Sequence, residues 1–269
     1  MDNKNAQFAG SIPEAYDRYL GPVLFQPYAE DLAARLKLEE NSSVLEVACG
    51  TGILTRILRD RLPATAKLVA TDLNEPMIQT AAKKFRQGEA IEWQQADASS
   101  LPFDDRSFDA VVCQFGIMFV PDKALSAHEA HRVLKPGGVF LFNVWDALEH
   151  NALGRIAHET ITSFFEKDPP TFYQIPFGYH DQDEIKRLLA AAGFRDNRID
   201  VVAKVGGASR AEDVAQGLVN GNPVAVAITE RDPSLLPVIT NAVADALKKH
   251  FGETAVRAPM QAIVIEAHA

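Results

Sequence analysis

The stretch from Ser43 to Thr55, Ser-Val-Leu-Glu-Val-Ala-Cys-Gly-Thr-Gly-Ile-Leu-Thr, constrains the fold more than any other. An apolar run (Val44, Leu45, Val47) ends in small residues with Gly50 and Gly52, and a helical pattern of Ile53, Leu54, Ile57 and Leu58 follows. This order predicts strand, tight turn, helix. Glycine permits unusual dihedrals and removes the β-carbon that would hold a ligand away from the backbone. The helix start presents unpaired N–H groups that suit a carboxylate or another electron-rich group.

A second apolar strand, Lys67 to Thr71, runs into Asp72, twenty residues after Gly52. Nucleoside-binding α/β folds place a ribose-binding carboxylate about 20 residues beyond the turn. A dinucleotide fits less well, because the turn lacks the third glycine of a G-x-G-x-x-G fingerprint.

Glu46-Val-Ala-Cys-Gly-Thr-Gly52 resembles the first motif of class I S-adenosylmethionine-dependent methyltransferases, and Asp72 resembles their ribose-binding acid. Three further stretches agree: Asp97-Ala-Ser-Ser-Leu-Pro-Phe-Asp104, Ser107-Phe-Asp-Ala-Val-Val-Cys-Gln114 and Arg132-Val-Leu-Lys-Pro-Gly-Gly138. Together they are similar to the bacterial small-molecule group that includes the ubiquinone and menaquinone C-methyltransferases. The resemblance spans roughly Leu36 to Val205, with Ala48 and Cys49 standing where Gly-Cys is more usual. It implies S-adenosyl-L-methionine as cofactor and S-adenosyl-L-homocysteine as product. It also implies a seat formed by Glu46, Ala48, Gly50 and Gly52 on the first turn, Asp72, Leu73 and Met77 after the second strand, and Asp97, Ala98, Gln114 and Phe115 beyond.

Some of these residues have plainer uses. Tyr16 is either packing or part of the N-terminal helical cover that the resemblance implies. Met77 is either core or adenine wall, and Asp97 either accepts from the adenine amine, as the resemblance implies, or caps its own turn.

Between these motifs the chain reads as alternating helices and strands. Ser11-Ile-Pro-Glu14 starts a helix that Gly21-Pro22 interrupts, and a second carries Phe25, Tyr28, Leu32 and Leu36 on one stripe. Strands are expected over Ala90–Gln95, Phe108–Cys113 and Val139–Trp145. A helix starts at Pro121-Asp122 and stops at Lys135-Pro-Gly-Gly138; its His128 and His131 are read as structural. The apolar loop Gln114 to Val120 lies at the strand edge where donor and acceptor should meet, which favours an acceptor that is apolar or aromatic in part.

After Trp145 come a helix (Asn151–Phe165), an aromatic loop (Phe172–Tyr179), a helix (Asp181–Ala192) and a sixth strand (Asn197–Val205). A capping box at Ser209-Arg-Ala-Glu212 opens a short helix, Leu235–Phe251 forms a longer one, and Met260–Ala267 is a final strand. If that strand is antiparallel, as the resemblance implies, both extra segments emerge above the ligand edge. They form a helical lid or, as the alternative, a homodimer interface.

The expected fold is α/β: a Rossmann-like, doubly wound seven-stranded sheet with its last strand antiparallel, plus a helical lid. The expected divisions are an N-terminal cover (1–36), a cofactor-binding core (37–145), a lid segment (146–180), a core helix and strand (181–205), a lid insertion (206–253) and a closing strand (254–269).

Composition narrows the partners. A net charge of −9 disfavours binding to nucleic-acid phosphates. No window approaches the ~18 apolar residues of a membrane span, and the first residues lack the apolar core of a secretion signal, so a cytoplasmic location is expected. Cys49 and Cys113 read as buried thiols, and no Cys/His spacing suggests a metal.

Methyl transfer from a sulfonium needs alignment and exclusion of water more than acid–base help. Were a base required, His180 is the first candidate and His150 the second. The competing functions are an NAD(P)-dependent oxidoreductase and a noncatalytic nucleoside sensor on the same fold.

Overall fold

The computed structural model describes residues 6–37, 39–208, 210–253 and 255–269. Seven strands form one sheet in the order β3-β2-β1-β4-β5-β7-β6. They are β1 (Ser43–Val47), β2 (Lys67–Asp72), β3 (Glu92–Gln95), β4 (Phe108–Gln114), β5 (Leu134–Trp145), β6 (Arg195–Ala208) and β7 (Val256–His268). β1 to β5 pair in parallel, and β7 runs antiparallel between β5 and β6.

Alternate strand residues feed opposite cores, as the period of two requires. Val44, Leu68, Ala110, Val112 and Leu141 pack under α2 (Gln26–Arg35) and α3 (Ile53–Arg61). Leu45, Val69, Val111, Phe140 and Phe142 join the other core with α5 (Lys123–Val133) and α7 (Gln182–Ala192). The strand order reverses between β1 and β4, where open α/β sheets leave a crevice at the carboxyl ends. Register sets those ends side by side: Val47 lies opposite Thr71, and Gln114 opposite Asn143.

The N-terminal helix departs from expectation. Gly21-Pro22 does not interrupt it; α1 (Ile12–Ala15) runs through a π-helical segment, Tyr16–Phe25, into α2. Proline lacks an N–H and clashes with the preceding turn of an α-helix. The wider π turn, in which the Gln26 N–H bonds to the Gly21 carbonyl, carries the chain past it.

Other differences lie at the ends of elements. β5 begins at Leu134, since Gly137 N–H and Gly138 C=O pair with Ala269. β6 and β7 extend beyond the expected spans into a long antiparallel ribbon. Ser209 of the expected capping box lies outside the described residues, and Glu212 pairs with Lys248 at 2.7 Å. α4 (Glu75–Ala82) follows β2, α6 (Ala152–Thr162) falls within the expected Asn151–Phe165, and α9 (Val224–Arg231) follows the Asn222-Pro223 turn where no helix was expected. α8 (Ala211–Asn220), α9 and α10 (Leu235–Phe251) lie between β6 and β7 in the chain. No helix among the described residues is long and apolar enough to cross a membrane.

α8 presses on the π segment without room for a side chain at Gly217. A β-carbon there would sit 2.6 Å from Leu20 Cδ2 and 2.9 Å from Tyr19 Cβ. Helix propensity alone would reward Gly217→Ala by about 1 kcal/mol, whereas overpacking costs about 1–3 kcal/mol. We expect the clash to win and the melting temperature to fall by about 2–8 °C. Calorimetry showing an increase would contradict this contact.

Candidate functional site

The glycine turn is held open from both sides. Gly52 adopts φ 78° at the start of α3, and a β-carbon there would lie 2.9 Å from the Ala81 side chain. Ala48 and Phe115, at the tips of β1 and β4, are also left-handed, with φ of 54° and 51°. Such backbone is strained for residues other than glycine and clusters at functional sites. Phe115 is held there by its N–H, which donates to Asn143 Oδ1 at 3.0 Å, and by its ring, which stacks on Trp145 at 3.9 Å. Tyr28, fully buried on α2, packs edge-on against both rings and donates to the Val202 carbonyl.

Asp72 ties the turn to the second strand. Its Oδ2 accepts from Gly50 N–H at 2.9 Å, and its Oδ1 accepts from Asn74 N–H at 2.8 Å. Burial raises its pKa, and these hydrogen bonds oppose the rise. Asn74 in turn grips the N-terminal strand of chain: its amide donates to the Ala6 carbonyl and accepts from Phe8 N–H. The π segment is tied to the same turn, because Asp17 accepts from the Thr51 hydroxyl at 2.7 Å and pairs with Lys84.

These elements enclose a cavity of about 480 Å³. Tyr16, Ala48, Gly50, Asp72, Leu73, Met77, Asp97, Ala98, Gln114 and Phe115 all line it. Asp97 also caps its own turn, accepting from Ser99 N–H at 2.7 Å, and Met77 is buried as well as lining. Gln114 donates to the Phe25 carbonyl at 2.8 Å, joining β4 to the π segment.

Glu46 and Gly52 are outside the wall. Glu46 is 1% exposed, behind the turn on the α3 side, and its Oε2 has no hydrogen-bond partner; neither does the Thr55 hydroxyl. Burial pushes its pKa up to about 8, with the charge of Asp72 adding to the rise. Burial also pushes Cys113 up to about 12 and raises Cys49, so both thiols are inert.

The structure places His180 on the surface, with Nδ1 on the Phe177 carbonyl, and neither it nor His150 lines this cavity. His131 packs edge-on against Phe194. No group of three His, Cys, Asp or Glu side chains among the described residues could hold a metal.

For the rest of the wall, sequence reasoning named the Gln114–Val120 loop and the lid segments as regions but did not single out their individual lining residues. Ala6 and Phe8 form one rim; Asn151, Leu153 and Gly154 come from the start of α6, and Phe172, Tyr173 and Phe177 from the aromatic loop. Leu218 and Asn222 come from α8 and the turn after it. Among the described residues, no His, Lys, Arg, Cys or Glu side chain lines the cavity.

Residues 45–142 match the methyltransferase domain family. These residues are thus similar to S-adenosylmethionine-dependent methyltransferases, and the likeness supports that activity. The chain is similar to a demethylmenaquinone methyltransferase of Staphylococcus epidermidis, at 29% identity over 204 residues, covering 69% of this chain and 83% of that one. A demethylmenaquinone methyltransferase of Staphylococcus carnosus is 28% identical over 210 residues, covering 73% and 86%. In fold the enzyme is similar to Haemonchus contortus phosphoethanolamine N-methyltransferase 2, solved in complex with S-adenosyl-L-methionine. The TM-score is 0.64 at 14% identity, covering all of this chain and 60% of that one. The oxidoreductase alternative is not favoured.

Glu46 makes a prediction about pH. The folded chain keeps its proton up to about pH 8, while the unfolded chain loses it near the ordinary value of 4.5. Between those values the folded state binds more protons, so this residue's contribution to stability falls as pH rises. Urea unfolding at pH 5.5 and 8.5 should show E46Q gaining on wild type by on the order of a few kcal/mol. An unchanged difference would contradict the buried, protonated carboxyl.

Proposed function

We propose that the enzyme methylates a small, largely apolar aromatic acceptor, such as the reduced hydroquinone form of a quinone, held against the cofactor seat under a lid of residues 146–180 and 206–253. The observation that carries this reading is one continuous wall, running from Asp72 to the aromatic side chains Trp145, Phe172 and Phe177, with no basic side chain in it among the described residues. The names of the two Staphylococcus relatives support a quinone ring.

The seat fits the nucleoside. Asp72 is buried at the wall; its Oδ2 keeps a lone pair for a ribose hydroxyl beyond the one given to Gly50, while Oδ1 already accepts from the backbone N–H and the amide of Asn74. Gly50 brings bare backbone to the same place. Met77, Phe8 and Tyr16 line the same end of the cavity and would hold the adenine.

S-adenosylmethionine, when bound, supplies a methyl group already activated on a sulfonium. The chain's own task is to align the reactants and exclude water. The rigid Phe115–Trp145 stack sets the plane against which a flat ring lies, and the lid closes the far side. Among the described residues no histidine or lysine lines the wall, and no side chain there is assigned the role of general base.

Calorimetry with S-adenosylhomocysteine tests the seat. Asp72→Ala and the gentler Asp72→Asn should weaken binding at least tenfold, the scale of one lost charge-assisted hydrogen bond. H180A should leave transfer of labelled methyl within twofold of wild type. Unchanged affinity in both Asp72 variants, or a hundredfold loss of transfer in H180A, would overturn the assignment.

A further inference from the structure

Asn222 is 8% exposed and lines the cavity from the turn between α8 and α9. Its amide nitrogen donates to the Leu218 carbonyl at 3.0 Å and to the Gly217 carbonyl at 3.4 Å. Two carbonyl acceptors decide which end of the amide is nitrogen. The oxygen therefore sits at the other end, and no described residue donates to it. Nor is that oxygen among the polar atoms sealed away from every neighbour and from open space. Capping the last carbonyls of α8 uses only the N–H half of this side chain, which leaves Oδ1 without a structural task.

The neighbourhood makes that oxygen selective. Tyr173, 4% exposed, has already committed its hydroxyl proton to the Leu218 carbonyl at 2.7 Å. Asn151, also in this wall, has likewise committed its amide N–H groups to the Asp146, Ala147 and Gln261 carbonyls. Leu153, Phe172 and Phe177 complete it with apolar surface. A carboxylate or phosphate here would find no cation among the described lining residues. A hydroxyl or N–H would find an acceptor in a site of low dielectric, where pairing discriminates strongly.

We infer that Asn222 Oδ1 is a specificity-determining contact for the methyl acceptor, accepting a hydrogen bond from a hydroxyl or N–H on an otherwise apolar ring. This rests on the acceptor cavity proposed above. The contact selects acceptors that carry such a donor over otherwise identical molecules in which it is blocked.

The test uses the full chain saturated with S-adenosylhomocysteine and two probes of the same ring, 1-naphthol and 1-methoxynaphthalene, titrated by calorimetry. Wild type should bind 1-naphthol about tenfold more tightly, the scale of one net hydrogen bond. N222L should reduce that preference to about twofold or less by weakening 1-naphthol, with S-adenosylhomocysteine affinity kept within twofold. Equal affinity for the two probes in wild type would overturn the contact, as would an undiminished preference in N222L. The wild-type ratio decides by itself should N222L not fold. If neither probe binds the loaded chain, the aromatic acceptor cavity falls along with this contact; binding without preference removes the contact alone.

Discussion

One buried carboxylate holds together the parts of this molecule that matter most. Asp72 accepts from the backbone of Gly50 on one side and of Asn74 on the other, which joins the first turn to the second strand tip. Asn74 extends the chain of contacts to Ala6 and Phe8, so the N-terminal segment closes over the cavity by way of the residue beside the carboxylate. Desolvation penalises an ionised Asp72, and oriented N–H groups are what make the burial tolerable. In the proposed seat, a ribose hydroxyl would add a donor to a carboxylate that is already in place.

The second constraint is closure. Ten residues of π helix bring Tyr16, Leu20, Leu24 and Phe25 to the cavity and bind back to the strand tips through Gln114 and Thr51. Against the outer side of this segment lies α8, close enough that Gly217 admits no side chain. The cover at the start of the chain and the helices inserted before its last strand therefore pack as neighbours. Enclosure of this kind suits a reaction whose donor is already activated, because what the protein adds is orientation and dryness.

The glycine turn, the spacing to Asp72 and the order of strands and helices were legible in the sequence because each depends on local chemistry. A small-residue turn and a period-two apolar run carry their meaning in the residues themselves. The seven-stranded arrangement and the antiparallel last strand followed from the family resemblance. The passage of the helix through Pro22 was not legible: a breaker reads as a break until tertiary contacts, here Gln114 on the Phe25 carbonyl and Asp17 on Thr51, hold a wider turn in place. The full length of β6 was hidden as well, since an edge strand with exposed Val201 and Val205 does not show the one-sided alternation of a half-buried one. The far wall of the cavity escaped for a different reason. Asn151, Tyr173 and Asn222 meet across long sequence separations, and Asn222 sits in what reads simply as a turn. Its unpaired oxygen becomes visible only once the partners of its nitrogen are known.

The central claim is that the tips of β1, β2 and β4 form a single seat in which the nucleoside and the reacting sulfur have fixed places. A crystal structure of the chain with S-adenosylhomocysteine tests it most directly. The account predicts a ribose hydroxyl within hydrogen-bond distance of Asp72 Oδ2, and the sulfur directed toward the chamber walled by Phe115, Trp145 and Phe177. Product bound elsewhere, or seated with its ribose turned away from Asp72, would contradict it.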